Sequence, residues 1–329
     1  MQTSTQISRA ESCSDIHRIG VLGAGQMGAA AAVMFRRAGF QIKLWGRNEE
    51  RLLACYPTLD AVDDFLNLHF GKPEITTGTL ELDSILSNLD TFSDAVLECV
   101  AEDMAQKVQL LSELSSCRER EVLVMSCTSA LSITEMARGS GLVKNLVGAH
   151  FWNPPHLIPV VEVVAGAETP PHQVQRAQSL LKQLGKIPVI CADVPGFIGN
   201  RLMHAMWREA LALVQAGICS AEDVDRVVKW TFALRLPAIG PMENMDIVGL
   251  SLVESVQRYL LPDLATNALP STELTSRLSR DETGMRSGRG FYDWSTRNPA
   301  STIALRDEQI VQQLRFLEQH GAFDELDRT

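Results

Sequence analysis

At 329 residues, 45% hydrophobic and 21% charged, the chain is long enough for two domains with buried cores. A formal net charge of −10 argues against binding a phosphate backbone, so no nucleic-acid partner is expected. The seven cysteines are scattered, odd in number and without a CxxC pair, which fits reduced thiols in a cytoplasmic protein and neither a disulfide framework nor a metal site. Residues 1–15 are polar and Ser-rich and read as a loose tail without a signal peptide. The most apolar stretch, 21–35, is short and glycine-rich, so no membrane span is expected.

Residues 18–22 read as a strand entering Gly23-Ala24-Gly25-Gln26-Met27-Gly28. Residues 29–38 follow as an Ala-rich helix stopped by Gly39, and 40–45 as a second strand. Further strands are expected at 95–99, 122–126, 146–150, 160–164 and 188–192. Helices fall between most of them, for example 105–115 and 132–138, the latter opened by a Ser132/Glu135 capping box. Alternating strands and helices imply a largely parallel, doubly wound α/β sheet of the Rossmann type over 16–192. The pattern changes at Asp193-Val194-Pro195-Gly196, after which no strand is evident. Helical periodicity over 197–216 ends at Gly217, Ser220 caps a helix with Glu222 and Asp223 in its first turn, and 307–319 reads as a terminal amphipathic helix. The expectation for 193–329 is therefore an all-α domain for substrate binding and dimerisation.

In a G-x-G-x-x-G turn between strand and helix, Gly23 allows the tight turn, Gly25 lets a pyrophosphate approach the backbone, and Gly28 lets helix pack on strand. The free N–H groups of the helix start, around Gln26 and Met27, then face the phosphates. The alternative is a Gly-rich turn with no ligand. An acid at the end of the second strand would bind the ribose hydroxyls of NAD. Here the chain reads Leu44-Trp45-Gly46-Arg47-Asn48: the acid is missing and a cation follows. Arg47 suits a 2′-phosphate, so NADP(H) is favoured over NAD(H). The competing reading makes Arg47 a solvent-exposed side chain and leaves the ribose to Glu49 or Glu50.

Five further segments carry a resemblance: VLECVAEDMAQK (96–107), SCTSALSITEMA (126–137), GAHFWNPPHLIPVVEVV (148–164), DVPGFIGNR (193–201) and SGRGFYDW (287–294). With the glycine loop, and in this order, they resemble the L-3-hydroxyacyl-CoA dehydrogenase family. The resemblance implies an NAD(P)-dependent oxidoreductase that interconverts a 3-hydroxy compound and its 3-oxo form by hydride transfer. Position by position, it makes His150 the catalytic base and Glu162 its carboxylate partner. Ser129 and Asn200 become hydrogen-bonding partners of the reacting oxygen. Glu102 and Lys107 fall near the nicotinamide ribose and amide, and Asn153 follows the catalytic histidine. The family also implies a homodimer formed through the helical domain. The chemistry stands without the family: oxidising a secondary alcohol requires removal of the hydroxyl proton, which a neutral imidazole does near pH 7 when a carboxylate fixes its tautomer. Each residue has a structural alternative: His150 as a core histidine, Glu162 as a paired buried acid, Asn200 bonded to its own helix, Ser129 in an ordinary loop. Cys127 stands where the family has asparagine and reads as a packing residue.

Two features shift the substrate expectation. Residues 57–94 hold eight acids and a single basic residue, Lys72, where the family places a helical hairpin that helps bind CoA. The phosphates of CoA want Lys or Arg. Asn153-Pro154-Pro155-His156-Leu157-Ile158-Pro159 is similar to the branch containing λ-crystallin/L-gulonate 3-dehydrogenase and the carnitine dehydrogenases, which act on free 3-hydroxy acids. A non-CoA 3-hydroxy or 3-oxo acid is favoured slightly over a CoA thioester. A non-catalytic, crystallin-like protein is the reading from a different class.

Overall fold

A computed structural model describes residues 15–321. It divides into two compact units, Met1–Asn200 and Arg201–Thr329.

The first unit runs β1 (Arg18–Leu22), α1 (Gln26–Arg37), β2 (Gln41–Trp45), α2 (Glu49–Leu53), α3 (Tyr56–Phe70), β3 (Leu80–Asp83), α4 (Leu86–Phe92), β4 (Ala95–Glu98), α5 (Met104–Ser112), α6 (Ser115–Glu119), β5 (Leu123–Ser126), α7 (Ile133–Ser140), β6 (Leu146–Phe151), β7 (Val160–Ala165), α8 (Pro171–Gln183) and β8 (Ile187–Ala192). The strands form one sheet in the order β3-β2-β1-β4-β5-β6-β7-β8. Every residue of β4, β5 and β6 is buried, as expected for strands covered on both faces, and their Val, Leu, Ala and Met side chains feed two buried clusters.

Chain order reverses between β1 and β4, which opens the crevice where doubly wound sheets bind ligands at the carboxyl ends of their strands. The sheet is parallel from β3 through β6. β7 then runs antiparallel to β6, and β8 parallel to β7. β3 was not expected from the sequence. It is a four-residue edge strand, LELD, only half-buried, and its acids Glu81 and Asp83 both reach Lys43 on β2. Tertiary ion pairing stabilises it, since a strand that short has almost no sequence pattern.

The second unit holds α9 (Gly199–Gln215, which begins in the first), α10 (Ala221–Trp230), α11 (Pro241–Val248), α12 (Leu250–Leu260), α13 (Thr272–Ser279) and α14 (Pro299–Gln319). Among its described residues only isolated bridges occur, around Gly284, Arg289 and Asp293. α14 starts eight residues earlier than the amphipathic pattern indicates. Asn298 accepts from Ser301 N at 3.2 Å and Pro299 sits at the first turn, so a cap rather than a hydrophobic face sets its start. No described helix is long and apolar enough to cross a membrane.

Candidate active site

The glycine loop joins β1 to α1 beside the crevice. Gly23 has φ +105°, and a Cβ there would lie 2.9 Å from the Cys99 carbonyl oxygen. A Cβ on Gly28 would lie 1.8 Å from the Gly23 carbonyl oxygen, so loop and helix touch backbone to backbone. A Cβ on Gly25 would meet nothing within 4 Å. Gly25 is also the N-cap of α1 and offers no side chain to it, which leaves the N–H groups of Gln26 and Met27 uncapped. Two glycines are thus required by backbone contacts, and the third borders open space over a positive helix end. The loop fits a dinucleotide pyrophosphate. Beyond β2, Arg47 is exposed and has no hydrogen-bond or ion-pair partner among the described residues. Asn48, not Arg47, caps α2 by accepting from Arg51 N at 2.8 Å.

His150 and Glu162 face each other because β6 and β7 are antiparallel with those two residues in register. His150 Nδ1 lies 2.7 Å from Glu162 Oε2, and the residues are 4% and 3% exposed. The other carboxylate oxygen, Oε1, accepts from Ile198 N and Gly199 N, each at 2.9 Å, where α9 begins. Burial pushes the Glu162 carboxyl up, but the Gly199 N–H, His150 and the Ile198 N–H outweigh it. The group is held below the ordinary carboxylate range. The turn that delivers these N–H groups passes through Gly196 and through Phe197, which takes the left-handed conformation (φ 49°). The Phe197 and Trp152 rings pack on the imidazole, with centroids 5.9 and 5.0 Å away.

Asn200 Nδ2 donates to Ser129 O at 2.8 Å. Ser129 N in turn donates to Glu102 Oε1 at 2.7 Å, as does Thr128 Oγ1 at 2.7 Å and, at 3.2 Å, Ala130 N. Glu102 Oε2 lies 3.6 Å from Lys107 Nζ. Ser129, Asn200, Glu102 and Lys107 therefore form one connected network. Lys107 is not presented to solvent. It is 1% exposed, and its ammonium is committed to Glu98 Oε1 at 2.7 Å and Val100 O at 3.2 Å. Asn153 is exposed two residues beyond β6.

Sequence reasoning missed two acids that hold this arrangement. Glu98, fully buried, also accepts from Ser126 Oγ at 2.6 Å and Val100 N at 2.7 Å. An acid inside the apolar run 95–99 must be paired, and that was the signal for it. Asp193 accepts from Ile133 N at 3.1 Å, Thr134 N at 2.8 Å and the Ser132 and Thr134 hydroxyls, fastening the start of α7 to the end of β8. It is the first residue of the segment DVPGFIGNR, 193–201.

The acidic segment is less free than its sequence suggests. Asp63 is paired with Arg36 and Arg37 at the end of α1, Asp83 with Lys43, and Asp94 with Arg18. Asp90 accepts from Ser116 N and Cys117 N. Asp60, Asp64, Glu74 and Glu81 stay exposed, and the segment's one cation, Lys72, is exposed with them.

Residues 18–194 match the family model "3-hydroxyacyl-CoA dehydrogenase, NAD binding domain", and residues 196–294 match "3-hydroxyacyl-CoA dehydrogenase, C-terminal domain". The chain belongs to the 3-hydroxyacyl-CoA dehydrogenase family. It is an oxidoreductase of that family with a nicotinamide-nucleotide-binding domain. One relative, 5-formyl-3-hydroxy-2-methylpyridine 4-carboxylate 5-dehydrogenase of Mesorhizobium japonicum, is 30% identical over 92% of this chain and 99% of its own. A solved structure of an enzyme of that activity, described as an NAD+ dependent dismutase, superposes with a TM-score of 0.87 at 30% identity, covering 92% of this chain and 99% of that one. The human lambda-crystallin homolog is 31% identical over 73% of this chain and 77% of its own.

Proposed function

We propose that the chain oxidises a secondary alcohol, or reduces the matching ketone, with His150 as proton acceptor and donor. The observation that carries this is the buried His150–Glu162 pair, 2.7 Å apart, with the second carboxylate oxygen held by two backbone N–H groups. Glu162 accepts the Nδ1 proton, so the Nε2 lone pair is the one left for a substrate hydroxyl. As that proton arrives, the ionised carboxylate stabilises the imidazolium. Ser129 and Asn200 hold the reacting oxygen and polarise it in the reductive direction. Glu102 and Asn153 bind the nicotinamide end, and Lys107 sets the position of Glu102 from below. The cofactor, when bound, supplies the hydride acceptor or donor. Gly23, Gly25 and Gly28, with the N–H groups of Gln26 and Met27, hold its pyrophosphate.

Two finer readings belong with this proposal. NADP(H) is favoured over NAD(H), supported by an exposed Arg47 without a partner and by glycine at position 46 where an acid would select NAD. The substrate is a non-CoA 3-hydroxy or 3-oxo acid, supported by the exposed acids of 57–94 and by the relative that acts on a pyridine carboxylate. Hydride-transfer assays with NADH and NADPH against acetoacetyl-CoA and a set of free 3-oxo acids test both. Turnover confined to acetoacetyl-CoA removes the non-CoA reading, and no turnover with any of them removes the chosen substrate class.

The working form is a homodimer built on the helical unit. No described residue of α9 to α13 is buried, and Leu250, Leu252, Val256 and Tyr259 of α12 are all more than half exposed, an apolar face that a second copy would cover. Light scattering at micromolar concentration reads the mass of two chains on this proposal and of one chain against it. A reducing cytoplasmic setting agrees with the six free cysteines of the described chain.

A further inference from the structure

The crevice between β1 and β4 is underlain by a pair of thiols that the hydride-transfer chemistry does not use. Cys99 follows β4 and Cys127 follows the parallel neighbour β5, one register step beyond the Glu98–Ser126 pair, and Cys127 N donates to Glu98 O at 2.8 Å. Their sulfurs are 3.2 Å apart and both residues are half-buried. Among the described residues, no other two cysteine sulfurs are hydrogen-bonded to each other.

Cys99 borders the glycine loop. The Cys99 carbonyl oxygen lies 2.9 Å from where a Gly23 Cβ would be, and Cys99 Cβ lies 3.4 Å from where a Gly28 Cβ would be. The two loops that Cys99 and Cys127 open carry Glu102 and Ser129, which are hydrogen-bonded to each other.

We propose that Cys99 and Cys127 form an oxidisable dithiol that closes to a disulfide under peroxide and weakens nicotinamide-cofactor binding. The proposal rests on reading the β1–β4 crevice as the cofactor site. One cysteine attacks the peroxide, giving a sulfenic acid and water. The second thiol displaces the sulfenic oxygen as water, so two thiols and one hydrogen peroxide give one disulfide and two waters. A dithiol reductant reverses the step.

The geometry permits the bond. Neighbouring parallel strands put paired Cα atoms about 4.8 Å apart, inside the roughly 4.4–6.8 Å range of disulfides. The sulfurs must approach to about 2.05 Å. On this proposal the strain of closing the bond passes to the loops bearing Glu102 and Ser129 and to the Cys99 carbonyl beside Gly23. The hydrogen bond to Cys127 and burial hold the Cys99 thiol protonated well above its ordinary range, so oxidation should be faster at alkaline pH.

The test treats the full chain with hydrogen peroxide, blocks remaining thiols with iodoacetamide and maps peptides by mass. NADH and NADPH are titrated by fluorescence before oxidation, after it, and after dithiothreitol. The expected result is a peptide linked through Cys99 and Cys127. Both cofactors should bind roughly tenfold more weakly, with recovery on reduction. Prior saturation with NADPH should slow formation of the link. Cys99→Ala, compared with its own untreated sample, should lose the peroxide sensitivity. Oxidation without the linked peptide overturns the proposal, and so does a linked peptide with unchanged cofactor affinity. If the reduced protein binds neither cofactor, the functional reading fails instead, and peptide mass still reports whether the two sulfurs join.

Discussion

Replacing Glu162 by glutamine keeps the size of the side chain and removes one acceptor, and the structure says which one. The carboxylate serves three donors: His150 Nδ1 at 2.7 Å on one oxygen, and Ile198 N and Gly199 N at 2.9 Å on the other. Glutamine has a single acceptor oxygen. Turned toward the backbone, it satisfies two N–H groups and presents its NH2 to His150. Turned toward His150, it sets its NH2 against two N–H groups that then have no acceptor. Each unsatisfied donor costs about 1–3 kcal/mol, so with two of them the first arrangement wins by roughly 2–6 kcal/mol. An NH2 group facing Nδ1 requires Nδ1 to be the lone-pair nitrogen and moves the proton to Nε2, the atom that must accept the substrate proton. The base is then in the wrong tautomer. Converted at 1.36 kcal/mol per factor of ten, kcat falls by about 10²–10⁴, in line with the effect of the corresponding change in a Ser-His-Asp triad. Steady-state kinetics on whichever 3-oxo acid or acetoacetyl-CoA the wild type turns over measures kcat, and fluorescence titration should show cofactor affinity unchanged within about twofold. A kcat within about fivefold of wild type would refute the tautomer argument and with it the assignment of His150 as base.

Arg47→Ala should weaken NADPH by about 10–100-fold, the worth of a charge-assisted hydrogen bond, and leave NADH alone. Wild-type binding of NADH as tight as NADPH contradicts the premise. The reverse design, Gly46→Asp, is harder to read, because a Cβ at position 46 would sit 3.2 Å from Leu52 Cδ1 and Leu52 would have to give way. Lys107→Met leaves the fully buried Glu98 without its cation and should cost about 3–5 kcal/mol by urea unfolding; a loss below 1 kcal/mol would mean that Ser126 and the Val100 N–H suffice. Because the folded pKa of Glu162 is depressed, its stabilising effect is full above the unfolded value of about 4.3 and is lost as pH falls through the folded one. The melting-temperature gap between wild type and Glu162→Gln should therefore be constant above about pH 5 and shrink below about 4.3, and a gap that grows in acid would reverse the sign.

The glycine loop, the alternation of strands and helices, and the switch to helices after Asp193 were legible in the chain because they are local. Each depends on backbone freedom at a glycine, on side-chain period, or on capping within a few residues. His150 and Glu162 could be named from their segments and brought to one edge of the sheet. Their direct opposition came from the antiparallel turn between β6 and β7, a pairing choice that the apolar runs 146–150 and 160–164 do not specify. Only the fold revealed that Lys107 is buried against Glu98, that Asp63 meets Arg36 and Arg37, and that two cysteines 28 residues apart bring their sulfurs to 3.2 Å. Charge counted along a segment ignores partners that arrive from other elements, and a buried ion pair is visible only when both ends have been placed. The sequence determines which residue types are available at each position, whereas the strand order and register of the sheet decide which of them meet.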